Sequence, residues 1–135
     1  METKELERIF KSKQQKKNKK DKIIPGLVTT KFEHFEKWFD EKEFQKGCYY
    51  CGTTSERSHE LYEMQRNGLR PDGTRGGKRG KRLELDRRDP FQPYDNLDNV
   101  VWCCYWCNNS KSNFFTEEEF QPIAIAIGDA LKKIK

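Results

Sequence analysis

Leu83 to Phe120 reads LELDRRDPFQPYDNLDNVVWCCYWCNNSKSNFFTEEEF, and Cys48 to Gly52 upstream reads CYYCG. Two Cys-x-x-Cys pairs bracket an apolar strand that ends in Asp86-Arg87, and an asparagine follows the last cysteine. A two-residue spacer lets one knuckle of backbone present thiolates to adjacent corners of a tetrahedron. Cys48 and Cys51, with Cys104 and Cys107, therefore supply a complete four-sulfur shell for Zn²⁺. A shell closed by protein ligands leaves no position for a substrate, so this ion is structural. It joins the front of the chain to its back and adds its binding free energy to folding. Cys103, directly before the second pair, reads as a small hydrophobe on a strand.

The bulk composition makes such a staple necessary. Of 135 residues, 33% are hydrophobic and 36% charged, enough for one domain with a small core. The formal charge of +5 is only a modest pull towards polyanions, and its distribution says more. Lys4 to Lys22 carries nine basic and three acidic residues, and Leu69 to Arg82 carries six against one. No apolar leader opens the chain and no run is long enough to span a bilayer, so no membrane partner is expected. The expected setting is the cytoplasm, where paired cysteines bind metal more often than they form disulfides.

Residues 1–25 read as a basic N-terminal arm, with Leu6, Ile9 and Phe10 leaving a short helix equally open; 26–135 form the main domain. Thr30-Lys31-Phe32-Glu33 has capping-box spacing. Phe32, Phe35, Trp38 and Phe39 then mark the core stripe of one amphipathic helix ending near Gly47. Leu83-Glu84-Leu85 and Asn99 to Cys103 alternate as strands. Asn108 to Asn113 continues as a short helix, and Thr116 to Glu119 caps another with Phe120, Ile123, Ile127 and Leu131 on one side. The class is α+β.

Asp86, at a strand end, can bind a hard divalent cation through oxygen, with Asn108 adding a neutral oxygen from the following helix. An aspartate there also serves as a turn or cap residue, and spacing alone does not separate the two roles.

Asp86-Arg87, Asn99 and the CNNSKSN run from Cys107 to Asn113, flanked by zinc knuckles, resemble the HNH or ββα-metal endonucleases over about Gly47 to Phe120. The resemblance implies a small zinc-stapled ββα-metal domain with flanking helices. It implies that Asp86 and Asn108 hold a catalytic Mg²⁺ or Mn²⁺ at a DNA phosphodiester, and that Asn99 pins the loop between the strands. The family's usual pattern has histidine after the aspartate as general base, whereas Arg87 cannot accept a proton. In this respect the chain is most similar to small rare-cutting HNH-type restriction endonucleases with Asp-Arg. That likeness implies Tyr50 as base and Arg87 as phosphate clamp. His59 is the other candidate base. A non-catalytic zinc-ribbon module that binds nucleic acid is the alternative.

DNA contacts are expected from the N-terminal lysines, from Arg75, Lys78, Arg79, Lys81 and Arg82 in the glycine-rich basic loop, and from Lys111. Whether the chain nicks alone or cuts both strands as a homodimer is left open by the sequence.

Overall fold

The computed structural model describes residues 1–71 and 79–135. In chain order the helices are α1 (Thr3–Ser12), α2 (Phe32–Trp38), α3 (Glu41–Gln45), α4 (Ser55–Arg66), α5 (Tyr105–Lys111) and α6 (Glu117–Lys133). The strands β1 (Lys16–Lys17) and β2 (Ile23–Ile24) form a small antiparallel ribbon between α1 and α2. The strands β3 (Glu84–Arg87) and β4 (Val100–Cys103) pair antiparallel, with Leu85 opposite Trp102 and Asp86 opposite Val101. With α5 directly after β4, the centre of the α+β fold is a ββα unit.

The core surrounds Trp102, whose indole meets Phe44 at 4.9 Å and Trp38 and Phe39 at 6.0 Å between ring centroids. The stripe expected to form one helix is broken here. The backbone turns extended at Phe39, and Asp40 caps a separate α3 by accepting from the Lys42 and Glu43 amides. Phe39 thereby reaches the edge of Trp102 instead of lying along a single helical face. Thr30 is not a helix cap either. Its hydroxyl donates to Asp95 at 2.6 Å, and that carboxylate also accepts from the amides of Val28, Thr29 and Thr30.

The capping box at Thr116 and Glu119 is present in full. Along α6, however, the buried positions are Phe120, Ala124, Gly128 and Leu131, while Ile123 is 37% exposed and Ile127 only partly covered. Close approach explains this rotation. A Cβ on Gly128 would stand 3.0 Å from the Cys51 carbonyl oxygen and 3.2 Å from its Cβ, so α6 presents Gly128 to that knuckle.

The first residues form a helix packed on the domain. Leu6 and Ile9 are buried in the core, and Phe10 meets Phe32 and Phe35 at 5.6 and 5.4 Å. Returning from β2, the chain crosses the end of α1, where the Leu27 amide donates to the Lys13 carbonyl at 2.8 Å. Gly26 lies so close that a Cβ would fall 2.2 Å from that oxygen and 2.7 Å from the Gln15 nitrogen. Gly26→Ala should therefore lower stability by about 1–3 kcal/mol, because only backbone can give way. Urea unfolding followed by circular dichroism measures the loss.

Candidate active site

Cys48 to Gly52 forms a tight knuckle in which the Gly52 amide donates to the Cys48 carbonyl at 2.8 Å. The Tyr49 amide ties the knuckle to β4 through the Trp102 carbonyl, also at 2.8 Å. Cys104 is the N-cap of α5, and its sulfur accepts from the Cys107 amide at 3.4 Å. The four sulfurs of Cys48, Cys51, Cys104 and Cys107 all lie within 4.8 Å of one another, with Cys51 and Cys104 at 3.7 Å. Metal–sulfur bonds of about 2.3 Å in a tetrahedron place sulfurs about 3.8 Å apart. The donor set and its spacing fit a metal ion such as zinc. Cys103 is buried outside this set, its thiol donating to the Cys104 carbonyl at 3.3 Å.

Asp86 lies next to this staple and is itself buried. Its Oδ2 accepts from the Tyr50 hydroxyl at 2.6 Å and lies 3.2 Å from the Lys111 ammonium. Lys111, expected to contact DNA, has no solvent exposure and is turned inward instead. Its ammonium also donates to the Arg87 carbonyl at 2.7 Å, so it locks α5 to the end of β3. Burial raises the pKa of Asp86, opposed by the Tyr50 hydrogen bond and the Lys111 charge. Burial, reinforced by the negative charge of Asp86, raises that of Tyr50. Tyr50 is thus a donor to Asp86 in this arrangement.

Asn108 follows Cys107 on α5 and donates through Nδ2 to Glu84 at 2.9 Å. Glu84 is gripped in turn by Arg79 through two guanidinium nitrogens at 2.5 and 3.1 Å. No described residue donates to the Asn108 Oδ1, so the amide is oriented by its nitrogen and keeps its oxygen for another partner. Asp86 and Asn108 line one cleft of about 220 Å³ together with Arg79, Arg87, Tyr94 and Lys13. Arg87 spans its rim, donating to the Gln92 carbonyl and the Asn113 side chain at 3.1 Å each.

Asn99 holds the loop after β3 on both sides of one residue. Its Nδ2 donates to the Asp89 carbonyl at 2.9 Å, and its Oδ1 accepts the Asp89 amide at 3.0 Å. His59 stands apart on α4, half exposed, with Nε2 at 3.8 Å from Glu63 and its ring over Tyr62. It is not among the residues lining the cleft. Arg79, Lys81 and Arg82 line a larger groove of about 780 Å³ that shares Lys13 and Asn108 with the cleft. Arg75 and Lys78 lie outside the described residues. Two participants escaped the sequence reading, Glu84 and Tyr94, while Lys13, expected only as one of the N-terminal lysines, lines the cleft itself. Glu84 carried a signal, because it stands two residues before Asp86 on the same strand face.

Among solved structures, the chain is similar to the rare-cutting HNH restriction endonuclease PacI, at 28% identity and a TM-score of 0.58. The match covers 77% of this chain and 66% of PacI. No protein-family profile matches the chain, and no curated protein does. No helix among the described residues is long and apolar enough to cross a membrane.

Two measurements check this geometry. Cobalt added to the metal-stripped protein should give thiolate-to-metal charge-transfer absorption, abolished in the Cys51→Ser, Cys104→Ser double variant. Lys13 titrates at about 8 rather than 10.5, chiefly because burial disfavours its charge; Asp86 and Glu84 oppose this shift, while Arg87 and Arg79 add to it. Between those values the unfolded chain holds the proton and the folded one does not, so stability attributable to Lys13 rises with pH across that window. The difference in unfolding free energy between the parent and Lys13→Met should therefore shift in the parent's favour from pH 8 upward.

Proposed function

We propose that the chain is a metal-dependent DNA endonuclease of the HNH type, built on a structural zinc site. The reading is carried by one observation: β3 and α5 bring Asp86 and the free amide oxygen of Asn108 to a single cleft edged by Arg87. It is supported by the likeness to an HNH restriction endonuclease. One carboxylate and one amide oxygen suit a hard ion that leaves the remainder of its shell to water and phosphate. Mg²⁺ or Mn²⁺ held by Asp86 and Asn108 would supply Lewis-acid stabilisation and an acidified water.

The remaining work belongs to the chain's own side chains. Arg87 offers a guanidinium to the phosphate as its negative charge grows, a task for a permanent cation and not for a base. Glu84 and Arg79 hold the Asn108 amide in one orientation. Tyr50 holds Asp86 through a short hydrogen bond, and it is better placed than His59 to exchange a proton with that cluster. Because its pKa is raised, Tyr50 accepts a proton only where bound cations bring that pKa down. Lys81 and Arg82, on the larger groove, meet the DNA backbone. The four-cysteine shell selects zinc, the ion suited to tetrahedral thiolates without redox chemistry.

Plasmid incubated with the protein and Mg²⁺ or Mn²⁺ should be cut. Asp86→Ala and Asn108→Ala should each lose at least about 10²-fold in rate. Tyr50→Phe should be slowed and His59→Ala should cut like the parent. Intact plasmid under all ions and pH values, with a salt-sensitive mobility shift, would instead mark a DNA-binding fold without turnover. Elemental analysis should find one zinc per chain, and its removal should unfold the protein.

A further inference from the structure

Lys13 plays no part in the chemistry proposed above, yet its position is fixed from several sides. Its amide donates to the Ile9 and Phe10 carbonyls at 3.1 and 3.2 Å, closing α1. Its carbonyl accepts the Leu27 amide, and Gly26 is pressed against that oxygen with no room for a side chain. Leu6 and Ile9 anchor the helix above it, each 4% exposed. A lysine of a solvated tail requires none of these constraints. Lys16 and Lys17, a few residues on, lie exposed on the ribbon.

The side chain runs into the cleft shared by Asp86 and Asn108 and ends 4.1 Å from the centre of the Tyr94 ring. No described oxygen accepts a hydrogen bond from its ammonium. The Arg87 guanidinium lies 4.8 Å from the same ring centre. Two cations gathered on one aromatic ring in a partly buried cleft repel each other and lose hydration. The nearby carboxylates offset this only in part, since Glu84 is paired with Arg79 and Asp86 with Lys111. Positive charge that converges without its own counter-ion, next to a pair of oxygen donors, fits an anion with several oxygens.

We infer that Lys13 is a phosphate ligand of the cleft, its ammonium taking, beside Arg87, a non-bridging oxygen of the phosphodiester presented to Asp86 and Asn108. This rests on the nuclease reading and adds a substrate contact from outside the ββα unit. The lowered pKa of Lys13 agrees with it, because an ammonium held in this cleft without an anion is disfavoured. The N-terminal helix and ribbon then have a purpose beyond general attraction for DNA: they carry one charge to the reacting bond.

The test uses the full chain, with Lys13→Ala, Lys13→Gln, Lys13→Arg and, as a control exposed on α2 away from both grooves, Lys37→Ala. Duplex DNA binding is followed by anisotropy over a salt series without added Mg²⁺ or Mn²⁺, and cleavage is followed at saturating DNA with the ion added. Loss of one phosphate contact should reduce the slope of log K against log[salt] by about 1 in Lys13→Ala. Cleavage should fall by about 10²-fold, with Lys13→Arg recovering most of both. If Lys13→Ala melts early, Lys13→Gln keeps a stem of similar length and carries the same readout. A slope equal to the parent's overturns the inference, whether or not the rate changes, since a rate loss alone marks a structural role. If the parent never cuts while the slope still drops, the nuclease reading falls and the phosphate contact stands.

Discussion

Four sulfurs within 4.8 Å of one another join the knuckle and the helix that carry Tyr50 and Asn108. Tyr50 lies between Cys48 and Cys51, and Asn108 is the residue after Cys107. A metal on those thiolates therefore fixes, in one event, the hydroxyl that holds Asp86 and the amide that stands across from it. The glycine at position 128 seats α6 on the same knuckle, so the longest helix also depends on this point. For a chain with so few apolar residues, a joint of this kind replaces much of the organisation that a larger core supplies.

Charge around the cleft is arranged in two tiers. Lys111 and Arg79 each serve a carboxylate, Asp86 and Glu84, and so define the shape of the site. Arg87 and Lys13 rest on Tyr94 and have no carboxylate of their own. The paired cations hold the walls of the cleft together, and of these four only the two on Tyr94 lack an ion-pair partner among the described residues. Composition alone, with its modest positive excess, does not reveal that division.

The parts of the fold that depend on local spacing were legible. The two cysteine pairs, both central strands and the capping box at Thr116 could be read because each is decided within a few residues, whereas the helix expected over Asn108 to Asn113 starts earlier, at Tyr105, and ends at Lys111. What the sequence hid depends on contacts between distant segments. Phe39 leaves its helix to reach Trp102, and α6 turns Gly128 inward because Cys51 is there. Lys111 looks like any surface lysine until Asp86 and the Arg87 carbonyl are known to face it. Lys13 sits in a lysine-rich run that offers no local sign of its separate placement. Of the site, Asp86, Asn108 and Tyr50 were found to neighbour one another, whereas His59 belongs to a different surface.

The ammonium of Lys111 is buried against Asp86 and belongs to the folded chain itself. Under the proposed chemistry, folding and loading with the hydrolytic ion are separate events, while folding and loading with zinc are one. A weak chelator would silence such an enzyme reversibly, and a strong one would dismantle it. Storage, handling and crystal growth in a dormant state then become a matter of choosing the buffer.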